Sequence, residues 1–370
     1  MNFKRIWAQS VKEISQFRRD RLTVALAFLL PFVTLLVFGF AIRLETKNIP
    51  LVVQDFDNSF LSRAYTERLY ATNQLEPVLW SGRDPVRDAI NPGLASAAVI
   101  IPPDFSRRLK EGKTSTLQVL IDGSDVANAR VIKNSIRATN NFFLKTEGLR
   151  SKQSLITSRT RVWFNPGRQE SLYIVPGVLA VNLVLYPSLL AAIAMVRDKE
   201  EGTMVQVYAS SASAMELLLG KGLAYLLIAL SEAVFLMISA ALIFGLRVAG
   251  DPMPLLLGTP LFLATSVLIG LFVGTRSNSQ SAAVQAVGAT NALTAMLLSG
   301  FIYPISNIPW PLSLLANLVP VRYYIELTRD SFVRGTGWSG IWYIFPALAA
   351  LSLVLFWGAW QKLHRMQFSD

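Results

Sequence analysis

Cysteine is absent from this 370-residue chain and histidine occurs once. No disulfide framework, cysteine metal site or thiol redox couple can therefore be built. The single His364 stands in a basic tail with Lys362 and Arg365 and reads as a solvated residue, not as a catalytic base. Charge is also scarce: 16% of residues, against about 25% in an ordinary soluble domain, while 52% are hydrophobic. The deficit falls in blocks, which is the pattern of a membrane protein. Catalytic signatures are missing too. There is no Gly-x-Ser-x-Gly and no His-Glu pair at zinc spacing. Leu219-Gly220-Lys221 looks like the end of a phosphate-binding loop, but Met215 replaces the glycine needed five positions earlier and Gly222 the Ser/Thr after the lysine. The chain does not bind ATP in that way, and an enzyme reading finds no assembled catalytic set.

The net charge of +11 invites a nucleic-acid partner. More than half of the lysines and arginines, however, are scattered between Arg43 and Arg168 without forming a stripe, and the basic termini suit anionic lipid headgroups. No nucleic acid is expected.

What the chain does have is long uncharged runs. Residues 171–196 carry no charge, and residues 222–246 carry Glu232 and no other carboxylate. About 20 apolar residues in a helix cross a bilayer core of ~30 Å, so each run can span once. Between them lies the polar loop Arg197-Asp198-Lys199-Glu200-Glu201-Gly202-Thr203, and the rest of the chain is arranged around this hairpin.

In order, residues 1–21 place Phe3, Ile6, Trp7, Val11, Ile14 and Phe17 at helical spacing, with Lys4, Arg5, Gln9, Lys12, Glu13 and Gln16 on the other face. This predicts an amphipathic helix in the membrane interface. Residues 22–42 form a first span that exceeds the 7–15 residues typical of a signal-peptide core, and the basic residues before it keep the N-terminus cytoplasmic. Residues 43–170 alternate strand and helix patterns and predict an α/β domain on the outer side. Residues 171–361 hold five further spans, with the inner loop at 197–219 and a proline-broken re-entrant piece at 305–320. Trp310, Tyr323 and Tyr324 are expected at headgroup level. The fifth span of the whole chain is placed at 282–303 and the last at 335–361. Residues 362–370 form a cytoplasmic tail. The expected fold class is an α-helical polytopic membrane protein with six transmembrane helices (one, then five) and an inserted α/β extracytoplasmic domain.

The loop and its re-entry helix resemble those of type-2 ATP-binding-cassette (ABC) exporter permeases. In that family an Arg-x-x-Glu-x-Gly-Thr stretch leads through a turn into a Glu-Leu-Leu-x-Gly-Lys span. Arg197, Glu200, Gly202, Thr203, Glu216, Leu217, Leu218, Gly220 and Lys221 match, while Ser210-Ser211-Ala212-Ser213 stands where a proline is common. The stretch 298–309, the stretch 318–324 with Arg329 and Gly335, and the outer-domain segments 53–59 and 98–105 carry the same likeness to the multidrug-efflux branch.

The resemblance implies a permease subunit with no cofactor of its own that moves an amphipathic drug or lipid outward. A separate ABC ATPase subunit would hold ATP and magnesium. A second permease copy or paralogue, membrane lipids and a periplasmic adaptor are the other implied partners, in a bacterial inner membrane. Arg197, Glu200, Glu201, Gly202, Thr203 and Glu216 would couple the spans to the ATPase. Glu232 in mid-span either pairs with Asn182 or Asn291 or meets a cationic substrate in the translocation path. A membrane-anchored receptor or envelope-organising protein acting through its outer domain is the competing reading.

Overall fold

A computed structural model describes residues 2–41, 48–80, 82–122, 126–147, 171–203, 213–302, 305 and 308–366. The chain folds as two compact units, Met1–Ile42 with Arg161–Asp370, and Arg43–Thr160.

Helix α1 spans Phe3–Arg19 and α2 spans Arg21–Ala41. Next come β1 (Ile49–Asp55), α3 (Phe60–Tyr70), β2 (Leu75–Pro77), a π-helical turn at Val86–Ile90, β3 (Ala97–Ile101), α4 (Phe105–Lys110), β4 (Gln118–Ile121) and α5 (Val126–Thr146). Three long helices follow: α6 (Ser171–Glu200), α7 (Ala214–Phe244) and α8 (Met253–Arg276). Then α9 (Gln280–Val287), a π-helical turn at Gly288–Ala292 and α10 (Leu293–Leu297) run on without a gap. The chain continues through α11 (Leu312–Ala316), α12 (Pro320–Arg329), a π-helical turn at Asp330–Arg334, α13 (Trp338–Ile341) and α14 (Ile344–Met366).

In the smaller unit the strands form one sheet in the order β2-β1-β3-β4, with β1 parallel to β2 and β3, and β4 antiparallel to β3. Alternation along β1 sends Ile49 and Leu51 to one face and Val52 to the other. The first face packs with Val99 and Ile101 against Tyr65 and Leu69 of α3 and Ile132, Ile136 and Phe143 of α5. Val52 and Ala98 pack on Ala89 and Ala95 across the other face. The turn after β1 is held by Asp55, whose Oδ1 accepts the backbone N–H of Asp57 (2.9 Å) and of Asn58 (3.1 Å). Its Oδ2 accepts the Ser62 hydroxyl at 2.6 Å, while Ser59 and Ser62 cap α3 reciprocally.

In the larger unit, five helices among the described residues are long and apolar enough to cross a membrane: α2, α6, α7, α8 and α14. Of these α6 is the most enclosed. Its closest neighbour is α8, through Gly270 and Gly274: a Cβ at Gly270 would stand 2.0 Å from the Ser188 carbonyl oxygen, and one at Gly274 would stand 2.7 Å from Met195 Cβ. Small residues four apart let two apolar helices approach backbone to backbone, which is how helices associate in lipid. The Ser188 hydroxyl closes the contact by donating to the Ser266 carbonyl at 2.8 Å.

Several boundaries differ from the sequence expectation. The run placed at 282–303 is a segmented helix that starts at Gln280, widens into the π turn and stops at Leu297. Gly300, at φ +82°, lies just beyond the stop, and Phe301 turns inward onto Gly177 of α6, where a Cβ would meet its ring at 2.3 Å. Residues 303, 304, 306 and 307 lie outside the described residues. The last span starts at Ile344, not at 335, because Asp330 folds the segment before it into a tight turn: its carboxylate accepts from Thr336 N (3.2 Å) and Gly337 N (3.0 Å). Trp310 is exposed, but Tyr323 and Tyr324 are buried and do not lie at a surface. The Tyr324 ring stacks on Phe262 at 4.0 Å and its hydroxyl hydrogen-bonds the Thr259 hydroxyl at 2.9 Å. Finally, Arg329 donates to the carbonyls of Gly300 (2.9 Å) and Phe301 (3.1 Å), with its guanidinium 4.0 Å from the Tyr173 ring centre.

Candidate functional site: the charged hub below the helix pair

The loop joining α6 and α7 is shorter than the expected 197–219, since α6 continues through Glu200 and α7 begins at Ala214. A lysine and two carboxylates beside it are almost wholly withdrawn from solvent. Lys221 Nζ donates to Glu13 Oε1 at 2.6 Å and to the Ala194 carbonyl at 3.1 Å. Asp198 Oδ2 lies 2.7 Å from the same nitrogen, within ion-pair distance although off the hydrogen-bond directions. The three side chains are 0–2% exposed. Lys12, at the surface, lies 3.8 Å from Asp198 Oδ1 and brings the group to neutrality. Breaking such a buried group leaves an uncompensated charge, so its members hold one another in place.

Helix α1 reaches this position by a close backbone approach. A Cβ at Gly220 would stand 2.7 Å from Gln9 Cβ, and the Ser10 hydroxyl donates to the Gly220 carbonyl at 2.7 Å. The face of α1 turned inward is Ile6, Ser10, Glu13 and Phe17, while Phe3, Trp7 and Val11 remain exposed. Glu13 is therefore a buried ion partner and does not belong to the solvated face assigned from periodicity.

The residues singled out from sequence gather here, though with unequal engagement. Arg197 pairs with Asp20 at 3.8 Å. The Thr23 hydroxyl and N–H, both donating to Asp20, hold that carboxyl below its usual range against partial burial, with Arg197 assisting. Glu200 accepts from the backbone N–H of Gln280 (2.9 Å) and from its side-chain amide (2.5 Å). The Thr203 hydroxyl donates to Asp198 Oδ1 at 3.1 Å. Glu216 caps α7 reciprocally with Ser213, and its Oε1 accepts the Asn2 backbone N–H at 2.6 Å, tying the first turn of α1 to the first turn of α7. Glu201 is exposed, and Gly202 takes φ +68° with open space where a side chain would go. Residues 204–212 lie outside the described residues. Lys199 donates to the carbonyls of Gly274 (2.8 Å), Thr275 (2.8 Å) and Ser277 (3.1 Å), closing the otherwise unpaired C-terminal end of α8.

Glu13, Asp198, Lys199 and Lys221 were not recognised as a set from sequence. The available signal was a single acid on a basic helix face and a lysine inside an apolar run, two features that become a pair only in three dimensions.

Glu232 is separate from the hub. It is 0% exposed, and neither carboxylate oxygen has a hydrogen-bond partner among the described residues. The expected pairing with Asn182 or Asn291 is not made: the Asn182 amide donates to the Pro31 carbonyl at 2.9 Å, and the Asn291 amide to the Val184 carbonyl at 3.3 Å. Each amide is used to join α6 to a neighbouring helix.

The described residues thus form a bundle of apolar helices with a buried charged hub beside the α6–α7 loop. The chain belongs to the ABC-2 family of transporter proteins, whose family model matches residues 21–360. It is similar to the probable multidrug ABC transporter permease YbhS of Escherichia coli (strain K12), with 24% identity over 339 residues covering 90% of each chain. It is likewise similar to YbhR, a probable multidrug ABC transporter permease of the same organism (24%, covering 92% of this chain and 94% of the relative). The inner membrane transport permease YhhJ matches at 24% identity over 96% of both chains. The chain is thus a transmembrane permease subunit of an ABC transporter.

Proposed function

We propose that this permease exports an amphipathic small molecule or lipid, driven by a separate ATPase subunit that holds ATP and magnesium. The observation that carries the reading is the buried contact of Lys221 with Glu13 and Asp198. It makes α1 and the two helices flanking the inner loop a single mechanical body. A displacement applied at the loop is then transmitted to the α6–α7 pair instead of being absorbed by a slack connection. In this reading Arg197, Glu200, Thr203 and Glu216 set the posture of the loop, while Glu201 and Gly202 meet the ATPase. Surface charges at such a rim fix register more than they add affinity. Two permease copies, or this chain with a paralogue, pack together in a bacterial inner membrane. The termini and loop lie in the cytoplasm and residues 43–170 outside, within reach of a periplasmic adaptor. Glu232 stands in the substrate path as the counter-charge for a cationic portion of the cargo. That role is supported by its burial without a hydrogen-bond partner among the described residues, since such carboxylates in spans face a pathway or a pairing group.

The test is co-purification of the chain with its ATPase, followed by reconstitution into vesicles. Expected are ATP-dependent accumulation of an amphipathic dye and loss of dye-coupled ATP turnover in Gly202→Pro and Glu201→Lys. Failure to recover any nucleotide-hydrolysing partner, or full coupling in both variants, overturns the reading.

A further inference from the structure

The smaller unit contains a cleft of about 430 Å³ between the end of α4, the segment leading to β4 and helix α5. Sites for small organic molecules have volumes of ~300–1,000 Å³, with mostly apolar walls and a few convergent polar groups. Three aromatic rings form the wall here: Tyr65 stands 5.8 Å from Phe105 and 5.3 Å, edge to face, from Phe143.

Several of the polar groups on the cleft can donate hydrogen bonds. The Tyr65 hydroxyl donates to Asn140 Oδ1, which leaves the Asn140 amide N–H group as a donor with no partner among the described residues. The Ser115 hydroxyl is buried with no hydrogen-bond partner among the described residues. Lys113 brings an ammonium to the rim, where it pairs with Glu111 at 2.7 Å. No aspartate or glutamate lines the cleft. An orphaned buried hydroxyl is costly, and a ligand that accepts its proton removes that penalty.

The wall carrying Ser115 is fixed in place. Gly112 takes φ +71° to end α4, and the Arg108 guanidinium, paired with Asp104, donates to the Thr114 carbonyl at 2.8 Å.

We propose that this cleft binds an anionic amphipath, a carboxylate with a hydrophobic body. The body lies on Tyr65, Phe105 and Phe143, and the carboxylate accepts from Ser115, Asn140 and Lys113. The site belongs to the smaller unit alone and does not depend on coupling to an ATPase, so the transport reading and this one fail separately.

The experiment uses the full-length protein in detergent micelles and palmitic acid bearing a diazirine on its chain. The sample is irradiated and adducts are mapped by peptide mass spectrometry, with diazirine-bearing hexadecylamine as the head-group control. Expected are adducts on the peptides holding Phe105 to Leu117 or Phe143, competed by unlabelled palmitate and about tenfold weaker with the amine. Lys113→Glu, a surface change that leaves the core untouched, and Asn140→Leu each lower labelling of this unit by about tenfold, while labelling of the spans stays constant as the folding control. Adducts confined to the spans, equal labelling by the amine, or unchanged labelling in Lys113→Glu overturn the proposal.

Discussion

The Lys221 ammonium meets the Glu13 carboxylate at 2.6 Å across 208 positions of sequence, with both side chains withdrawn from water. The contact joins the first helix of the chain to the third long apolar one, and Asp198 closes it from the second. Such a group sets position more than it adds net stability: desolvating three charges offsets most of their attraction, whereas removing one leaves the others stranded.

Lys221→Met is therefore expected to destabilise the protein by ~3–5 kcal/mol, because Glu13 and Asp198 remain buried together. Combining it with Glu13→Leu and Asp198→Leu should recover most of the loss. Thermal unfolding in detergent measures both. A Lys221→Met variant that unfolds at the wild-type temperature would show that the contact carries no strain-bearing role.

Glu232 predicts a contrasting outcome. Its carboxyl has no hydrogen-bond partner among the described residues, so replacing it by glutamine exchanges one unsatisfied buried polar group for another and should leave the melting temperature unchanged. Efflux of a lipophilic cation such as ethidium from reconstituted vesicles should fall in the same variant, while export of neutral substrates persists. Equal loss for both classes of cargo removes the counter-charge role.

At the α6–α8 seam, Gly270→Ala would drive a methyl group to 2.0 Å from the Ser188 carbonyl oxygen, and the helices must part to admit it. Overpacking of this kind destabilises by ~1–3 kcal/mol. Gly222→Ala is the control: its Cβ would meet only Leu271 at an ordinary 3.8 Å, and alanine favours the helix by up to ~1 kcal/mol. The two melting temperatures should move in opposite directions.

The Asp20–Arg197 pair gives a pH prediction. Hydrogen bonds from Thr23 and the Arg197 charge lower the Asp20 carboxyl, so folding favours its ionised form. The stabilisation is present above the ordinary aspartate pKa of ~3.9 and is lost as pH falls through the lower folded value. The difference in melting temperature between wild type and Asp20→Asn should accordingly hold steady from neutral to mildly acidic pH and shrink only below that range. A difference that vanishes near pH 6 would assign it to another group.

Much of this architecture is legible in the sequence because two periodicities are strong. Uncharged runs long enough to span a bilayer locate α2, α6, α7 and α8, and alternation with turn residues locates β1, β3 and β4. Hydropathy is blind to a helix that widens or stops inside an apolar run. The π turn at Gly288–Ala292 and the halt at Leu297 depend on contacts with α6, such as Asn291 with the Val184 carbonyl and Phe301 with Gly177. The hub is hidden for a different reason. On a helical wheel Glu13 falls beside Ile6 and Phe17, at the edge of the apolar face, and its charge alone assigns it to the solvated side; the lysine that makes the inward position favourable comes from far along the chain. The loop motif contains Lys221 and Asp198, but nothing in it points to Glu13, the partner from the first helix.

Arg329 has a consequence of its own. The backbone leaving α10 is not helical at Gly300 and Phe301, and carbonyls freed in an apolar bundle need donors. The Arg329 guanidinium supplies two, from α12, while resting on Tyr173 of α6. Sliding α12 along its axis would thus strip both carbonyls at once. The break after α10 and the helix that supplies its donors are tied to one another, with the Tyr173 ring packed beneath the guanidinium that joins them.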